Sequence, residues 1–450
     1  MLRSATPTVR PAARRRASRL LGLALILLTF ALALPAGASA YISAGGATLT
    51  AQSSGSTADL YGVAFIDATH GWAVGADGTV LATTDGGATW SVQGPGGVEL
   101  HAVAFSDATH GWAVGKAAGV LATTDAGATW SAQSGGVGAE LYGVTFVDAT
   151  HGWAVGSVRS TGAEVILATT DGGATWNAQS SGSNAKLFGV TFVDATHGWA
   201  VGSTKDAATG NWTSAILATT DGGAKWSRQD ANSAELFGIA FPDATHGWAV
   251  GNSGTILATA DGGATWDVQS SGTDAGLQAV TFRDATHGWA VGSAKDAATG
   301  NRTGAILATT DGGATWSKQS SGSSRVLSDV AFSDATHGWA VGQGGTILAT
   351  IDGGATWSRQ NPASYAPMIA KLKPASGKRV ATVTISGMDF GAAQGAGTVK
   401  FGAKACTRYI SWSDTQIKCK VPAKAKYGEV DVIVTTAAGT SNPMSFTVKK

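Results

Sequence analysis

The string DATHGWAVG occurs seven times, and this repeat constrains the fold more than any other feature of the sequence. The copies begin at Asp67, Asp107, Asp148, Asp194, Asp243, Asp284 and Asp334. Each is followed by a second motif, LAT-x-D-[GA]-G-A-[TK]-W, which ends at Trp90, Trp130, Trp176, Trp226, Trp266, Trp316 and Trp357. The copies are spaced 40 to 50 residues apart, a period typical of propellers and solenoids.

Within one repeat the local signals are β throughout. For the first copy, strand A is predicted at Leu60–Phe65, strand C at Val80–Thr84 and strand D at Trp90–Gln93. Strand B is predicted to start with the segment Trp72–Gly75. Four short strands joined by Gly/Asp turns are typical of one propeller blade. The sequence therefore predicts an all-β fold with a seven-bladed β-propeller over residues 41–361.

The second motif has the residue types that a tight hairpin needs. Asp85 is suited to accept backbone N–H bonds within the turn, and Gly86 and Gly87 are suited to positive φ. Trp90 supplies a large ring to bury between sheets. One copy per blade indicates a structural role for the aspartates Asp85, Asp125, Asp171, Asp221, Asp261, Asp311 and Asp352.

The segment from Thr83 to Trp90 matches the Asp-box (BNR) pattern S/T-x-D-x-G-x-T-W, and Lys225 is the one departure from its threonine. Together with the F-x-D-x-x-H-G-W-A-V-G segment, the repeat resembles the photosystem II stability/assembly factor type of seven-bladed propeller. The resemblance covers about residues 41–361 and implies the fold. A role in photosystem assembly stays an alternative, since function resides in sites rather than in folds.

The last part of the chain has a different pattern. After a linker predicted at residues 362–367, strands of period two alternate with Gly/Pro/Asn turns over residues 368–450, which predicts a small β-sandwich. This segment resembles an IPT/TIG immunoglobulin-like domain, which implies a spacer or adhesion module. The cysteines of the chain, Cys406 and Cys419, lie here, and in an exported chain we expect them to form a disulfide.

The N-terminal 40 residues predict export. Six arginines precede the apolar run Leu20–Leu34, and Ala38-Ser39-Ala40 gives a small-x-small cleavage pattern. This order is typical of a secretory signal peptide at residues 1–40, so we expect a secreted or cell-surface protein. An uncleaved anchor is the alternative, although a run of 15 residues is short for a span of about 20.

The formal net charge of +1 is an average over unlike parts. Residues 1–40 carry 6 bases and no acid, residues 41–365 carry 12 bases and 26 acids, and residues 366–450 carry 13 bases and 4 acids. The propeller lacks the basic face that a nucleic-acid binder needs, so we expect no nucleic-acid partner.

The segment ATLTAQSSG at residues 47–55 resembles strand D of the second repeat. We hypothesise that it helps to join the first and last blades.

The variable residues indicate where a partner would bind. Propeller topology places D–A connections and B–C turns on one face, and the third, fourth and sixth repeats have longer B–C loops. Candidate binding residues in these loops are Arg159, Lys205, Asp206, Asn211, Trp212, Lys295, Asp296, Asn301 and Arg302. Acids at the start of strand A are candidates for a charged rim of the central channel, namely Asp59, Glu99, Glu140 and Glu235. The alternatives are polar hairpin extensions and solvated strand ends.

Several chemistries are disfavoured. The seven DATH histidines lie on a ring and do not converge, so we expect no metal site, and we expect no cofactor. No set of single-copy residues resembles the arginine triad of sialidases. We therefore predict a monomeric, non-enzymatic protein that binds a protein or carbohydrate on the cell surface through the B–C/D–A face. A glycoside hydrolase and an assembly factor for a membrane complex are the alternatives.

Overall fold

The computed structural model describes residues 56–134, 138–205, 210–229, 231, 233–295, 300, 302–359, 366–391, 393–437 and 439–450. The predicted signal peptide at 1–40, the segment 47–55 and residues 362–365 of the predicted linker lie outside these ranges. Within them, no helix has the length and hydropathy needed to cross a bilayer.

Seven antiparallel sheets of four strands each form the blades, and the strand order within each sheet follows the chain. The strands of the first four blades are β1 Leu60–Phe65, β2 Gly71–Gly75, β3 Val80–Thr83, β4 Ser91–Val92, β5 Leu100–Phe105, β6 Gly111–Gly115, β7 Gly119–Thr123, β8 Ser131–Ser134, β9 Ala139–Phe146, β10 Gly152–Val158, β11 Glu164–Thr169, β12 Asn177–Gln179, β13 Lys186–Phe192, β14 Gly198–Lys205, β15 Trp212–Thr219 and β16 Ser227–Gln229. Those of the last three are β17 Leu236–Ala240, β18 Gly247–Gly251, β19 Ile256–Thr259, β20 Asp267–Gln269, β21 Gly276–Phe282, β22 Gly288–Lys295, β23 Arg302–Thr309, β24 Ser317–Gln319, β25 Leu327–Phe332, β26 Gly338–Gly342, β27 Thr346–Thr350 and β28 Ser358–Arg359. Three-residue 3-10 turns join the second and third strands of four blades, at Ala76–Gly78, Lys116–Ala118, Asn252–Gly254 and Gln343–Gly345. The predicted seven-bladed propeller is confirmed.

Each blade is latched to the next by the tryptophan of the DATHGWAVG motif. Trp72 stacks on Phe105 of the following blade, with ring centroids 3.5 Å apart, and donates Nε1–H to the Ala126 carbonyl at 2.9 Å. The other face of Phe105 lies over Gly111, where a Cβ would come within 2.4 Å of the ring. This glycine is therefore required by packing, because any side chain would displace the phenylalanine.

The ring closes by direct contact between the first and last blades. The innermost strands touch their neighbours in the order β1, β5, β9, β13, β17, β21 and β25, and β25 also touches β1. At this seam Trp339 stacks on Phe65 at 3.5 Å and donates to the Gly86 carbonyl at 2.9 Å. The latch is thus the same as at the other seams, and the joining role of residues 47–55 stays a prediction.

The Asp-box turn is a network of short hydrogen bonds. Asp311 accepts Thr315 N–H at 2.9 Å, Thr315 Oγ1–H at 2.6 Å and Thr309 Oγ1–H at 2.8 Å. These donors, the Thr315 hydroxyl foremost, lower the pKa of Asp311 to about 2. Gly312 and Gly313 have φ values of 70° and 85°, which a residue with a Cβ resists.

The C-terminal strands form two sheets with a shared apolar core. They are β29 Met368–Lys373, β30 Ser376–Lys378, β31 Thr382–Met388, β32 Thr398–Phe401, β33 Lys404–Ala405, β34 Tyr409–Trp412, β35 Gln416–Lys420, β36 Gly428–Thr436, β37 Gly439–Thr440 and β38 Met444–Lys449. One sheet has the order β29-β31-β35-β34 and the other β30-β38-β36-β32-β33, with β37 beside β36. Ile385 and Ile417 of the first sheet pack in one cluster with Val432 and Phe446 of the second, as in a sandwich.

Both cysteines lie in this core. Cys406 and Cys419 are buried, and their Sγ atoms lie 3.1 Å apart as free thiols, compared with about 2.05 Å in a disulfide. The hydrogen bond to Cys419, together with burial, raises the pKa of the Cys406 thiol. The disulfide is not formed in this structure and stays a prediction.

A buried ion pair joins the sandwich to the propeller. Arg325, just before β25, donates Nη2–H to Asp389 Oδ2, and Ser324 Oγ–H points to the other carboxylate oxygen at 3.5 Å. Asp389 is 7% exposed. Burial raises its pKa, while the Arg325 charge acts in the opposite direction.

Candidate binding face around the channel mouth

The D–A connections and B–C turns of neighbouring blades meet on one face. A cavity of about 660 Å³ is lined by Glu99 and Glu140, which begin the innermost strands of blades 2 and 3, and by Lys116 and Arg159 from the B–C turns of the same blades. The structure thus brings together side chains that are up to 60 residues apart in the sequence. This face carries those of the predicted binding residues that the structure describes.

The centre of this face is the mouth of the channel, a cavity of about 440 Å³ lined by residues of all seven blades. The inner wall comes from the residue that follows the first leucine of each innermost strand. These seven residues are Tyr61, His101, Tyr142, Phe188, Phe237, Gln278 and Ser328. Our sequence reasoning used the position before that leucine and missed this one. A tabulation of every strand-A position across the seven repeats would have revealed it.

Five of these residues form a continuous aromatic arc, which we define as Tyr61, His101, Tyr142, Phe188 and Phe237. Successive ring centroids are 5.9, 5.2, 5.5 and 5.4 Å apart. Such spacings are those of interacting aromatic pairs. Gln278 and Ser328 complete the circle, so one side of the mouth is aromatic and the other has amide and hydroxyl groups.

The arc is held in place by hydrogen bonds and by one cation. His101 Nδ1 lies 2.9 Å from the Leu141 carbonyl, and Tyr142 donates its hydroxyl to Glu140 at 2.7 Å. Burial, followed by this bond to Glu140, raises the pKa of Tyr142 to about 12. Lys186 Nζ lies 5.3 and 5.2 Å from the centroids of Tyr142 and Phe188, within cation–π range.

The predicted rim acids are already engaged. Glu99 accepts Lys116 Nζ–H at 2.8 Å and lies 3.1 Å from His101 Nε2. Although burial acts to raise the pKa of Glu99, Lys116 and His101 hold it below its usual value. The other rim acids each have a polar partner in a B–C turn or on the arc. Asp59 accepts Gly344 N–H at 2.6 Å, and Glu235 accepts Asn252 Nδ2–H at 2.8 Å. Glu140 accepts the Tyr142 hydroxyl and lies near Arg159. The rim is therefore a set of hydrogen-bonded carboxylates, of which Glu99 and Glu140 also have a cation nearby.

Blade 7 has a carboxylate where the other blades have glycine or alanine. Asp329 follows the inner-wall position, and its Oδ2 accepts Val63 N–H of blade 1 at 2.9 Å, while Oδ1 accepts Val330 N–H at 2.8 Å. Burial raises the pKa of Asp329 to about 7, and the two backbone bonds oppose this rise. The sequence reasoning did not single out this residue.

The longer B–C loops form extended hairpins on the same face. Lys205 pairs with Trp212 across the blade 4 hairpin, and Lys295 pairs with Arg302 across the blade 6 hairpin. Asn211 is exposed beside Trp212. The candidates Asp206, Asp296 and Asn301 lie outside the described residues.

The DATH histidines have local partners. His70 Nδ1 lies 2.9 Å from Asp67 Oδ2, and Asp67 Oδ1 accepts Thr69 N–H and His70 N–H at 2.6 and 2.8 Å. The other six copies repeat this turn. In the part of the chain that the structure describes, no group of three or more His, Cys, Asp and Glu residues is arranged to hold a metal ion.

Comparison with known families agrees with this architecture. The profile described as photosynthesis system II assembly factor YCF48 matches residues 48–132, 230–319 and 320–389, which is more than half of the chain. The IPT/TIG domain profile matches residues 367–448.

Similar curated proteins match over a short stretch only. Cyclomaltodextrin glucanotransferases from Bacillus sp. (strain 17-1) and Paenibacillus macerans are 44% and 43% identical over 79 residues, which is 17% of this chain. The chain spans about a tenth of the length of these relatives, since the match covers 11% of each.

Similar solved structures share the fold. YCF48 bound to D1 peptide has a TM-score of 0.52 at 22% identity and covers 66% of this chain and 93% of that one. YCF48 from Cyanidioschyzon merolae has a TM-score of 0.51 at 23% identity, covering 66% and 96%. The GH74 xyloglucanase from Xanthomonas campestris has a TM-score of 0.54 at 14% identity, covering 86% and 73%.

Proposed function

Because the chain belongs to the family of the photosynthesis system II assembly factor YCF48, we propose that it is an exported, non-enzymatic binding protein that takes up a peptide segment of a partner protein at the channel mouth. Export rests on the signal-like pattern of residues 1–40. A peptide is favoured over other ligands because one similar structure is of YCF48 bound to D1 peptide.

The aromatic arc is the observation that carries this proposal. Five adjacent blades each place a ring at the same level of the channel, and all five rings remain partly accessible. Rigid aromatic surfaces provide large contact area at low entropic cost, and aromatic-lined grooves are a recurrent way to bind extended peptides. The amide and hydroxyl groups of Gln278, Ser328 and Gln343 on the opposite side are suited to bond the peptide backbone.

The engaged state of the rim acids is compatible with the same kind of ligand. The four rim acids have partners, and Lys186 lies over the arc. An uncharged segment with aromatic, aliphatic or prolyl side chains therefore enters without a large electrostatic penalty.

The proposal is tested with the mature protein and an array of extended peptides. We expect Tyr142→Ala and Phe188→Ala each to weaken binding of selected peptides about tenfold or more, since central aromatic contacts contribute about 2 kcal/mol or more. Affinity is measured by fluorescence anisotropy. Tyr427→Ala is the matched control, because Tyr427 is 43% exposed and lies on the C-terminal sandwich.

The enzyme alternative predicts a different result, which an activity assay on glycans detects. A glycoside hydrolase would release reducing sugar from a glycan array, and substitution of one carboxylate would abolish this turnover. Such turnover, or peptide binding unchanged by both arc variants, would contradict the proposal.

A further inference from the structure

A second cavity lies away from the channel, between the B–C hairpins of blades 3 and 4. It has a volume of about 520 Å³ and shares no lining residue with the channel mouth. Its walls are Thr161 and Gly162 on one hairpin and Lys205 and Trp212 on the other, and Arg228 of β16 completes it. We call this cavity the hairpin groove.

Trp212 gives the groove an open aromatic face. Its side chain is 47% exposed, whereas the tryptophans of the DATHGWAVG motif are 2 or 3% exposed. An exposed indole at a cavity wall offers a large contact surface for a ligand, and tryptophan is enriched at binding interfaces. An indole also provides a large flat surface against which a sugar ring can pack its C–H face.

Two cations flank this ring. Lys205 and Arg228 are both exposed, and no described carboxylate lies within ion-pair distance of either. Among the described residues, Arg228 contacts Thr204 Oγ1 at 3.4 Å and the Ser214 carbonyl at 3.5 Å, both of them long hydrogen bonds. These positive charges are available to an anionic ligand.

The acid of the blade 3 hairpin is occupied elsewhere. Glu164, on β11, accepts bonds from Ser181 N–H at 2.9 Å, Gly182 N–H at 3.0 Å and Ser183 Oγ–H at 2.7 Å. Burial acts to raise the pKa of Glu164, but these donors hold it below its usual value. The Glu164 carboxylate therefore bonds to the D–A connection between β12 and β13, and Glu164 does not line the groove.

The remaining lining is hydroxyl and amide. It consists of Thr161, Ser183, Asn184, Thr204 and Thr213. Short polar groups of this kind can form hydrogen bonds with sugar hydroxyls. A peptide segment would use fewer of these hydrogen-bonding groups than a sugar would. From the exposed indole, the two cations and this lining we infer that the hairpin groove binds an acidic oligosaccharide, with a uronic-acid ring stacked on Trp212 and its carboxylate facing Lys205 and Arg228.

Blade 6 provides an internal control for this site. Its hairpin is a near copy of the blade 4 hairpin, with Lys295, Arg302 and Lys318 at the positions of Lys205, Trp212 and Arg228. Thus blade 6 keeps the charges and lacks the stacking ring. It also has Asp274 where the groove has Asn184, and this acid disfavours an anionic ligand.

The test uses the mature full chain, a hexamer of galacturonic acid and the fully methyl-esterified hexamer, with affinity measured by titration calorimetry. We expect the acidic hexamer to bind, the ester to bind at least tenfold more weakly, and Trp212→Ala and Arg228→Gln each to lower affinity for the acid about tenfold. Arg302→Ala should change it less than twofold. Thermal unfolding of each variant shows whether the fold is intact, which we expect because all three residues are exposed.

Four results would overturn the inference. They are no binding of the hexamer, equal binding of acid and ester, an Arg302→Ala loss as large as that of Trp212→Ala, and poly-glutamate binding as tight as the hexamer. Because the site shares no residue with the arc, Tyr142→Ala should leave hexamer binding unchanged, which separates this inference from the proposed peptide site.

Discussion

At the scale of single residues, Asp329 shows how one departure from a repeat changes its chemistry. The equivalent residues in the other blades are Gly62, Ala102, Gly143, Gly189, Gly238 and Ala279. The carboxylate instead reaches blade 1 and accepts Val63 N–H, so it contributes a bond across the seam where the ring closes. Its surroundings favour the neutral acid, because desolvation penalises the charged form.

Asp329→Asn should therefore change the pH dependence of stability, although its NH2 group cannot accept the second of the two backbone N–H bonds. The pKa of Asp329 is about 7 in the folded state and 3.8 for an ordinary aspartate. Between these values the folded state binds more protons than the unfolded state, so the wild-type free energy of unfolding falls as pH rises from about 4 to 7. The neutral amide removes this fall, so the free energy of unfolding of the variant should rise relative to that of wild type by on the order of 2–4 kcal/mol between pH 4 and pH 8.

Urea denaturation at pH 4, 6 and 8 measures this difference. Asp431→Asn is the control, since Asp431 is exposed on the outer face of β36. A difference between Asp329→Asn and wild type that is the same at all three pH values would show that the carboxylate is not the cause.

At the scale of the element, the blade is defined as much by its neighbour as by its own strands. Phe105 fills the space above Gly111 of its own blade and stacks on Trp72 of the preceding one. The Asp-box tryptophan meets the same ring edge-on, as Trp130 does with Phe105 at 6.1 Å. One phenylalanine per blade is therefore the contact through which both repeated motifs act on packing.

Trp199→Ala should destabilise the protein by about 3–5 kcal/mol, because it opens a large cavity and removes the bond to the Gly262 carbonyl. Trp199→Phe keeps a ring and should cost about 1–3 kcal/mol, mainly from the unpaired carbonyl. Chemical denaturation measures both. Trp212→Ala, which removes an exposed tryptophan, is the matched control and should change stability by less than about 0.5 kcal/mol. Equal losses in the free energy of unfolding for Trp199→Ala and Trp212→Ala would show that the contact of Trp199 with the next blade does not stabilise the ring.

At the scale of the whole molecule, the propeller and the sandwich are coupled through Arg325 and Asp389. This pair lies at the junction between the two folds, and Asp389 is almost fully buried. A buried carboxylate that loses its cation is costly, whereas a neutral replacement of both members is not.

Arg325→Gln should consequently lower the free energy of unfolding by about 3 kcal/mol, and adding Asp389→Asn should recover part of that loss. A double-mutant cycle by urea denaturation measures the coupling. Simple additivity of the two single substitutions would show that the pair does not join the two folds energetically.

Much of the architecture was predictable from local pattern. Seven copies of two motifs predict seven blades, and the residues of the Asp-box turn predict its hairpin, because turn geometry depends on residues adjacent in the chain. Strand D of the first blade was predicted at Trp90–Gln93, and the observed strand is the shorter Ser91–Val92. An outermost strand pairs on one side only, so fewer of its residues are held in the sheet.

The site was predictable only in part. The binding face was predicted from topology, and residues such as Lys205 and Trp212 were placed on it. The aromatic arc, the partners of Glu99 and Glu140, and the seam carboxylate of Asp329 were missed. The arc and the Asp329 bond depend on which residues of different blades meet at one level of the channel. The partners of Glu99 and Glu140 depend on how the strands and turns of a single blade fold together.

The sequence by itself determined the repeat, and with it the blade, the turn and the number of blades. Only the tertiary structure decided that the residue after the first leucine of each strand A faces the channel and that the rim acids have hydrogen-bond or ion-pair partners. It also decided that the DATHGWAVG tryptophan is the latch. The physical reason is that these features arise only when strands and blades pack together, because packing brings into contact side chains, such as Trp72 and Phe105, that are distant in the sequence.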